Sequence, residues 1–161
     1  LIKSFDSAPG TPLAVFVGQT VQGDWKLAVK DIAGQDIGKL NRWSLEIVTQ
    51  AGPQAVRGEV VLNLAIPDNN VVGVSSTLAG TAGTVVDLDV SLRIDHTYVG
   101  DLVVTLRRDP PGGPAGTPVV LIDRPGVPAT SGGCPGDHVD ALLDDAAGGP
   151  VGPDLPSGRP G

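Results

Sequence analysis

Strict alternation of apolar and polar residues between Val86 and Ile94 is the feature that most constrains this chain. Val86, Leu88, Val90, Leu92 and Ile94 fall on one side of an extended strand; Asp87, Asp89, Ser91 and Arg93 fall on the other. A period of two is the signature of a half-buried antiparallel strand. Leu102, Val104 and Leu106 repeat it against Thr105 and Arg107, after a connection, Asp95–Asp101, with Gly and Asp at turn positions. Trp25, Leu27 and Val29 form a further set, as do Trp43, Leu45 and Ile47, and Val60, Leu62, Leu64 and Ile66. Val119–Ile122 is a short continuous apolar strand, and 13–17 a weaker one. Both tryptophans head apolar sets and are expected in the core.

No window reads as a convincing helix. Residues 140–147 tolerate at most one helical turn before Gly148-Gly149-Pro150 stops it. With 23 Gly and 15 Pro between short strands, the fold class expected is all-β, a jelly-roll-like antiparallel sandwich. Hydrophobic residues make up 40% of the 161, enough for a real core, yet aromatics are only 3%. The core must therefore be aliphatic. Ala51-Gly52-Pro53-Gln54 marks a linker, and 148–161 a Gly/Pro-rich tail.

The charge of −7, with no basic run denser than Arg107-Arg108, argues against a nucleic-acid partner. No apolar stretch approaches the 18 residues of a membrane span, and Leu1–Ser4 does not read as a signal peptide. A chain with no Met is expected to be processed or cut from something longer. The single Cys134 excludes an intramolecular disulfide and a Cys-based zinc site, leaves the redox compartment open, and is expected to be an inert thiol.

No catalytic constellation is legible. The two histidines, His96 and His138, have no Gly-x-Ser-x-Gly elbow, and neither His-Glu-x-x-His nor Gly-Lys-Ser/Thr occurs. Ser75-Ser76 sits in an alternating pattern, where a hydroxyl is structural. His96 ends a strand before a tight connection. It is expected to bond neighbouring backbone and pin the turn rather than to act as a ligand or a pH-sensitive group. Asp95, Asp101, Asp144 and Asp145 are the candidate calcium ligands, since hard cations take several loop oxygens. Their spacing matches no EF-hand, and solvated acidic loops are the simpler account. No other cofactor is expected.

Several motifs resemble the P domain, also called P/Homo B, of subtilisin-like proprotein convertases. Ile66-Pro67-Asp68-Asn69-Asn70, Gly73–Leu78 and Ile94-Asp95-His96-Thr97-Tyr98-Val99-Gly100-Asp101-Leu102 look like its opening half, with Leu143–Ala147 similar to a later segment. Pro12–Gln19, Gly23-Asp24-Trp25-Lys26-Leu27-Ala28-Val29-Lys30-Asp31 and Asp36-x-Gly38-x-Leu40-x-x-Trp43-Ser44-Leu45 resemble its closing half. His96, Tyr98, Gly100, Asp101, Trp25 and Trp43 carry the resemblance as structural motif residues. The order departs from the family's: the closing half, 1–49, comes first, then a linker, 50–56, then the opening half, 57–161. The chain reads as the end of one P domain joined to the start of a second. The two halves are expected to pack on each other as a circularly permuted P domain.

The resemblance implies a jelly roll that is not itself catalytic and that supports the folding and stability of a neighbouring subtilisin-like serine endopeptidase domain. It implies other domains of the parent chain as partners, a secreted or cell-surface location, and a bacterial source. The alternative is an adhesion or carbohydrate-binding β-sandwich of a cell-surface protein. Exposed aromatics would favour that alternative, and the tryptophans sit in core-compatible alternation instead.

Overall fold

The computed structural model describes residues 3–6, 12–50 and 52–144, with side chains for 12–50 and 58–144. Among the described residues nine strands form two facing sheets. They are β1 (Lys3–Asp6), β2 (Gly23–Asp31), β3 (Gly38–Thr49), β4 (Gly52–Ile66), β5 (Asn70–Gly80), β6 (Val85–His96), β7 (Leu102–Asp109), β8 (Val119–Asp123) and β9 (Val139–Asp144). One sheet has the order β1-β9-β6-β3-β4, the other β5-β2-β7-β8. Every neighbouring pair is antiparallel except β1 with β9.

The alternation explains the sandwich. Trp25, Leu27 and Val29 of β2 and Leu102, Val104 and Leu106 of β7 point inward from one sheet. They meet Trp43, Leu45 and Ile47 of β3 and Leu88, Val90, Leu92 and Ile94 of β6 from the other, all of them buried. Trp25 and Trp43 are 0% and 1% exposed. Each indole N–H finds an acceptor, as a buried Trp requires. Trp25 Nε1 donates to the Val21 carbonyl, and Trp43 Nε1 crosses between the sheets to Ser76 Oγ, both at 2.9 Å. Ser76 is thus structural. The two halves of the chain share both sheets: β3 lies between β6 and β4, and β2 between β5 and β7.

Several local expectations are corrected. Val86 is 45% exposed and Val85 takes the inward place, because β6 bulges there: Asp87 faces Val48 but Val85 faces Thr49. One extra residue turns the side chain to the opposite face. The weak strand at 13–17 is a 3-10 helix, Pro12–Phe16, which buries Leu13 and Phe16, three residues apart. Pro12 supplies a helical φ at its first position, and the three-residue spacing matches the helix period. The helix-tolerant stretch at 140–147 contributes β9, held to β6 over six residue pairs. Tertiary pairing overrides propensity there. The expected linker, 50–56, contains the start of β4. Its Pro53 fits because β4 is an edge strand, which tolerates a missing N–H. The tail 148–161 and Asp145 lie outside the described residues.

Among the described residues no helix is long and apolar enough to cross a membrane.

Candidate functional site

Four of the motif residues, His96, Tyr98, Gly100 and Asp101, gather at one end of the sandwich, where β2, β6 and a 3-10 turn, Val99–Asp101, meet; Trp43 lies further along β3, opposite Leu92, and Trp25 near the other end of β2, opposite Arg108. His96 is the last residue of β6 and Asp31 the last of β2, so the two sheets deliver them to the same place. His96 Nε2 lies 3.3 Å from Asp31 Oδ2, and both side chains are fully buried. The other ring nitrogen, Nδ1, accepts the Tyr98 N–H at 3.1 Å and lies 2.9 Å from the Tyr98 carbonyl oxygen. With the proton on Nε2, the ring donates to Asp31 and accepts from Tyr98. A second proton on Nδ1 would find the Tyr98 carbonyl. Either state of the ring is therefore hydrogen-bonded, as a buried imidazole must be.

His96 does pin the turn, as expected from its place in the sequence. The interaction missing from that reading is the one with Asp31, 65 residues away. The only signal for it is that Asp31 closes an alternating run, as His96 does. Asp31 also accepts the Ala33 N–H, which fixes the exit of β2.

Two glycines of the motifs have a packing reason. Gly38 stands opposite His96 in the β3–β6 ladder, and a Cβ there would land inside the imidazole and 2.7 Å from the Asp95 carbonyl oxygen. Gly100 lies against the 132–134 backbone; its Cβ would sit 2.6 Å from the Gly132 carbonyl oxygen and 2.8 Å from the Cys134 nitrogen. The Gly100 N–H donates to the Cys134 carbonyl, and Tyr98 Oη reaches the Gly133 carbonyl at 3.4 Å. The Asp36-x-Gly38 and His-Thr-Tyr-x-Gly-Asp motifs are thus two sides of one joint. Thr97 Oγ1 closes it by donating to Asp36 Oδ1 at 2.8 Å and accepting the Ile37 N–H.

Asp101 is buried beside this joint. Desolvation pushes its pKa up, and the charges of Asp31 and Asp36 push the same way, against Arg124 and His96. Of the candidate calcium ligands that are described, Asp144 does not converge with Asp95. Asp144 pairs with Asp89, six residues before Asp95 on β6, which places it about 20 Å along the strand from Asp95. Among the described residues no group of three or more His, Cys, Asp or Glu side chains is arranged to hold a metal ion. Asp95 lies on the outer face, 3.6 Å from His138 Nδ1.

The His96–Asp31 pair is sealed from solvent, and the hydroxyl next to it, Thr97, is engaged with Asp36. The arrangement can orient a turn and couple two sheets. On the outer face of the five-stranded sheet lies a depression of about 190 Å³, lined by Arg42, Ser44, Glu59, Ser91 and Asp140 with the edges of Trp43 and Leu92. That is below the usual volume of a small-molecule site.

Neither a curated protein nor a solved structure matches the chain. The family model described as the proprotein convertase P-domain matches residues 3–47, the segment that supplies β1, β2 and β3 up to Ile47, both buried tryptophans, Asp31 and Gly38.

Proposed function

We propose that this chain is a non-catalytic accessory module of the P/Homo B type, and that it assists the folding and stability of a neighbouring subtilisin-like serine endopeptidase domain in a secreted polypeptide. The observation that carries the reading is the match over 3–47, whose motif residues occupy core and joint positions. The sealed His96–Asp31 pair supports a structural role for the most conspicuous polar side chains. Calcium enters this reading only at Asp95 and Asp101, or at Asp144 with Asp145 next to it in the sequence, and not at all four together. A melting temperature that is identical with calcium and with chelator removes it.

The domain reading belongs here as well: residues 1–49 are the end of one P domain and 57–161 the beginning of a second. The coding sequence on either side tests both statements. An Asp, His and Ser subtilisin set upstream supports the protease association. Deleting the module from that longer polypeptide is then expected to lower the yield and the thermal half-life of its peptidase activity. Unchanged yield and half-life overturn the accessory role. Inhibitor-sensitive hydrolysis of a peptide library by the purified chain overturns the non-catalytic part.

A further inference from the structure

β1, β2 and β3 make no ladder with one another. β1 pairs with β9, β2 with β5 and β7, and β3 with β4 and β6, so every ladder partner of this segment comes from residues 52–144. The dependence is mutual. β4 pairs with β3 and β5 with β2, and neither has another ladder neighbour among the described residues. Side chains cross the same boundary. Trp43 donates to Ser76, Asp31 meets His96, and Gly38 leaves room for the His96 ring. Covalently the two segments are joined at one place. Thr49 faces Gly52, which leaves Gln50 and Ala51 between the paired strands. The family match stops at residue 47, just short of this junction.

We propose that residues 1–50 are a separable strand donor for an acceptor formed by 52–144, and that a second copy of this chain is the partner with which donors are exchanged. Opening the junction turns β3 and β4 into one continuous strand. The donor then enters the other copy's acceptor and the other copy's donor enters this one. All strand pairs, the Trp43–Ser76 bond and the His96–Asp31 contact are remade unchanged between copies. Monomer and dimer therefore differ only at the junction and in association entropy, the condition under which strand exchange costs least. A short connection holds the donor at an effective concentration of about the millimolar range. The intact chain is accordingly monomeric at micromolar concentration, and removing the turn residues shifts it to the dimer.

The experiment is the full chain lacking Gln50 and Ala51, so that β3 cannot turn back into β4. Sedimentation is expected to give twice the monomer mass, with the blue-shifted tryptophan emission of the unaltered chain, since both indoles are donor residues and buried only in an acceptor. A folded monomer with that emission overturns the proposal. A deletion chain that does not fold moves the decision to a second measurement. A protease site is inserted between Gln50 and Ala51 in the full chain, the protein is folded and cut, and it is mixed with a nitrogen-15-labelled cut copy. Native mass spectrometry is expected to show the pieces still associated, and mixed labelled and unlabelled complexes after brief exposure to mild denaturant. Pieces that separate on cutting, or complexes that never mix, overturn it.

Discussion

Asp31, inside the fold, and Asp89, on its outer face, are held in opposite ways. At the sealed end of the sandwich, Asp31 and Asp101 are buried, and they sit among donors and cations: His96 Nε2, the Ala33 N–H and Arg124. On the outer face of the five-stranded sheet, Asp144, Asp89 and Glu46 lie side by side across β9, β6 and β3. Asp87 adds to the charge, and Asp89 Oδ1 is buried without a hydrogen-bond partner. Like charges facing each other across strands are destabilising. Desolvation is the largest cause, followed by Asp144, Asp87 and Glu46, and together they raise the Asp89 pKa to about 7. Inside the fold Asp31 is kept by a donor on each oxygen; Asp101 beside it and Asp89 on the outer face are both pushed towards retaining a proton.

The comparison breaks most severely if the interior partner is removed. His96→Ala takes the Nε2 donor from the buried Asp31 and empties the space of the ring; a buried polar group left unsatisfied costs about 1–3 kcal/mol, and the cavity adds to it. Urea unfolding at neutral pH measures this. His96→Gln, which can donate to Asp31 and accept from Tyr98, is expected to recover part of the loss. Equal losses for the two variants would show that ring packing matters and the Asp31 contact does not. A smaller effect is expected when the ring is displaced rather than deleted. Gly38→Ala places a methyl in the imidazole and against the Asp95 carbonyl, and overpacking of this kind costs about 1–3 kcal/mol. Ser44→Ala, on the outer face of the same strand, should stay within about 0.5 kcal/mol. Comparable losses at the two positions would erase the distinction between the joint and the outer face.

The regular part of the fold was legible because alternation reports burial directly. Trp25, Trp43 and the inward residues of β3, β6 and β7 follow from spacing alone. The exceptions arise where pairing rather than local pattern decides. Val86 alternates perfectly in sequence, yet a bulge opposite Val48-Thr49 turns it outward. β9 has helix-tolerant residues and is a strand because β6 offers it an edge. β4 begins inside Gly-Pro-rich sequence because β3 returns to it through a tight turn. At the candidate site, the turn-pinning role of His96 follows from its position after a strong apolar strand. Its bond to Asp31 does not, since nothing local in either run specifies which strand ends meet. The outer acidic row is invisible for the same reason: Asp144, Asp89 and Glu46 are neighbours only through register.

The finest test of the comparison is the charge of Asp89 itself. Its pKa is about 7 in the fold, against 3.8 for an unperturbed aspartate. Between these values the folded protein holds a proton that the unfolded chain has released. Stability therefore falls as pH rises through that window, the direction required when the native state binds more protons. Below about pH 4 both states are protonated and the effect vanishes; above about pH 7 both are ionised and the penalty is complete. Asp89→Asn keeps the shape and removes the titration. Because the side chain is partly solvated and its neighbours are screened, the gain is expected to be on the order of 1 kcal/mol at pH 8, shrinking towards zero at pH 4. Thermal melts of the variant and the unaltered chain at both pH values measure the difference, in which groups titrating alike in both, Asp101 among them, largely cancel. A gain of the same size at pH 4 would mean that the amide bonds better than the carboxyl, and that the acidic row is not what Asp89 answers to.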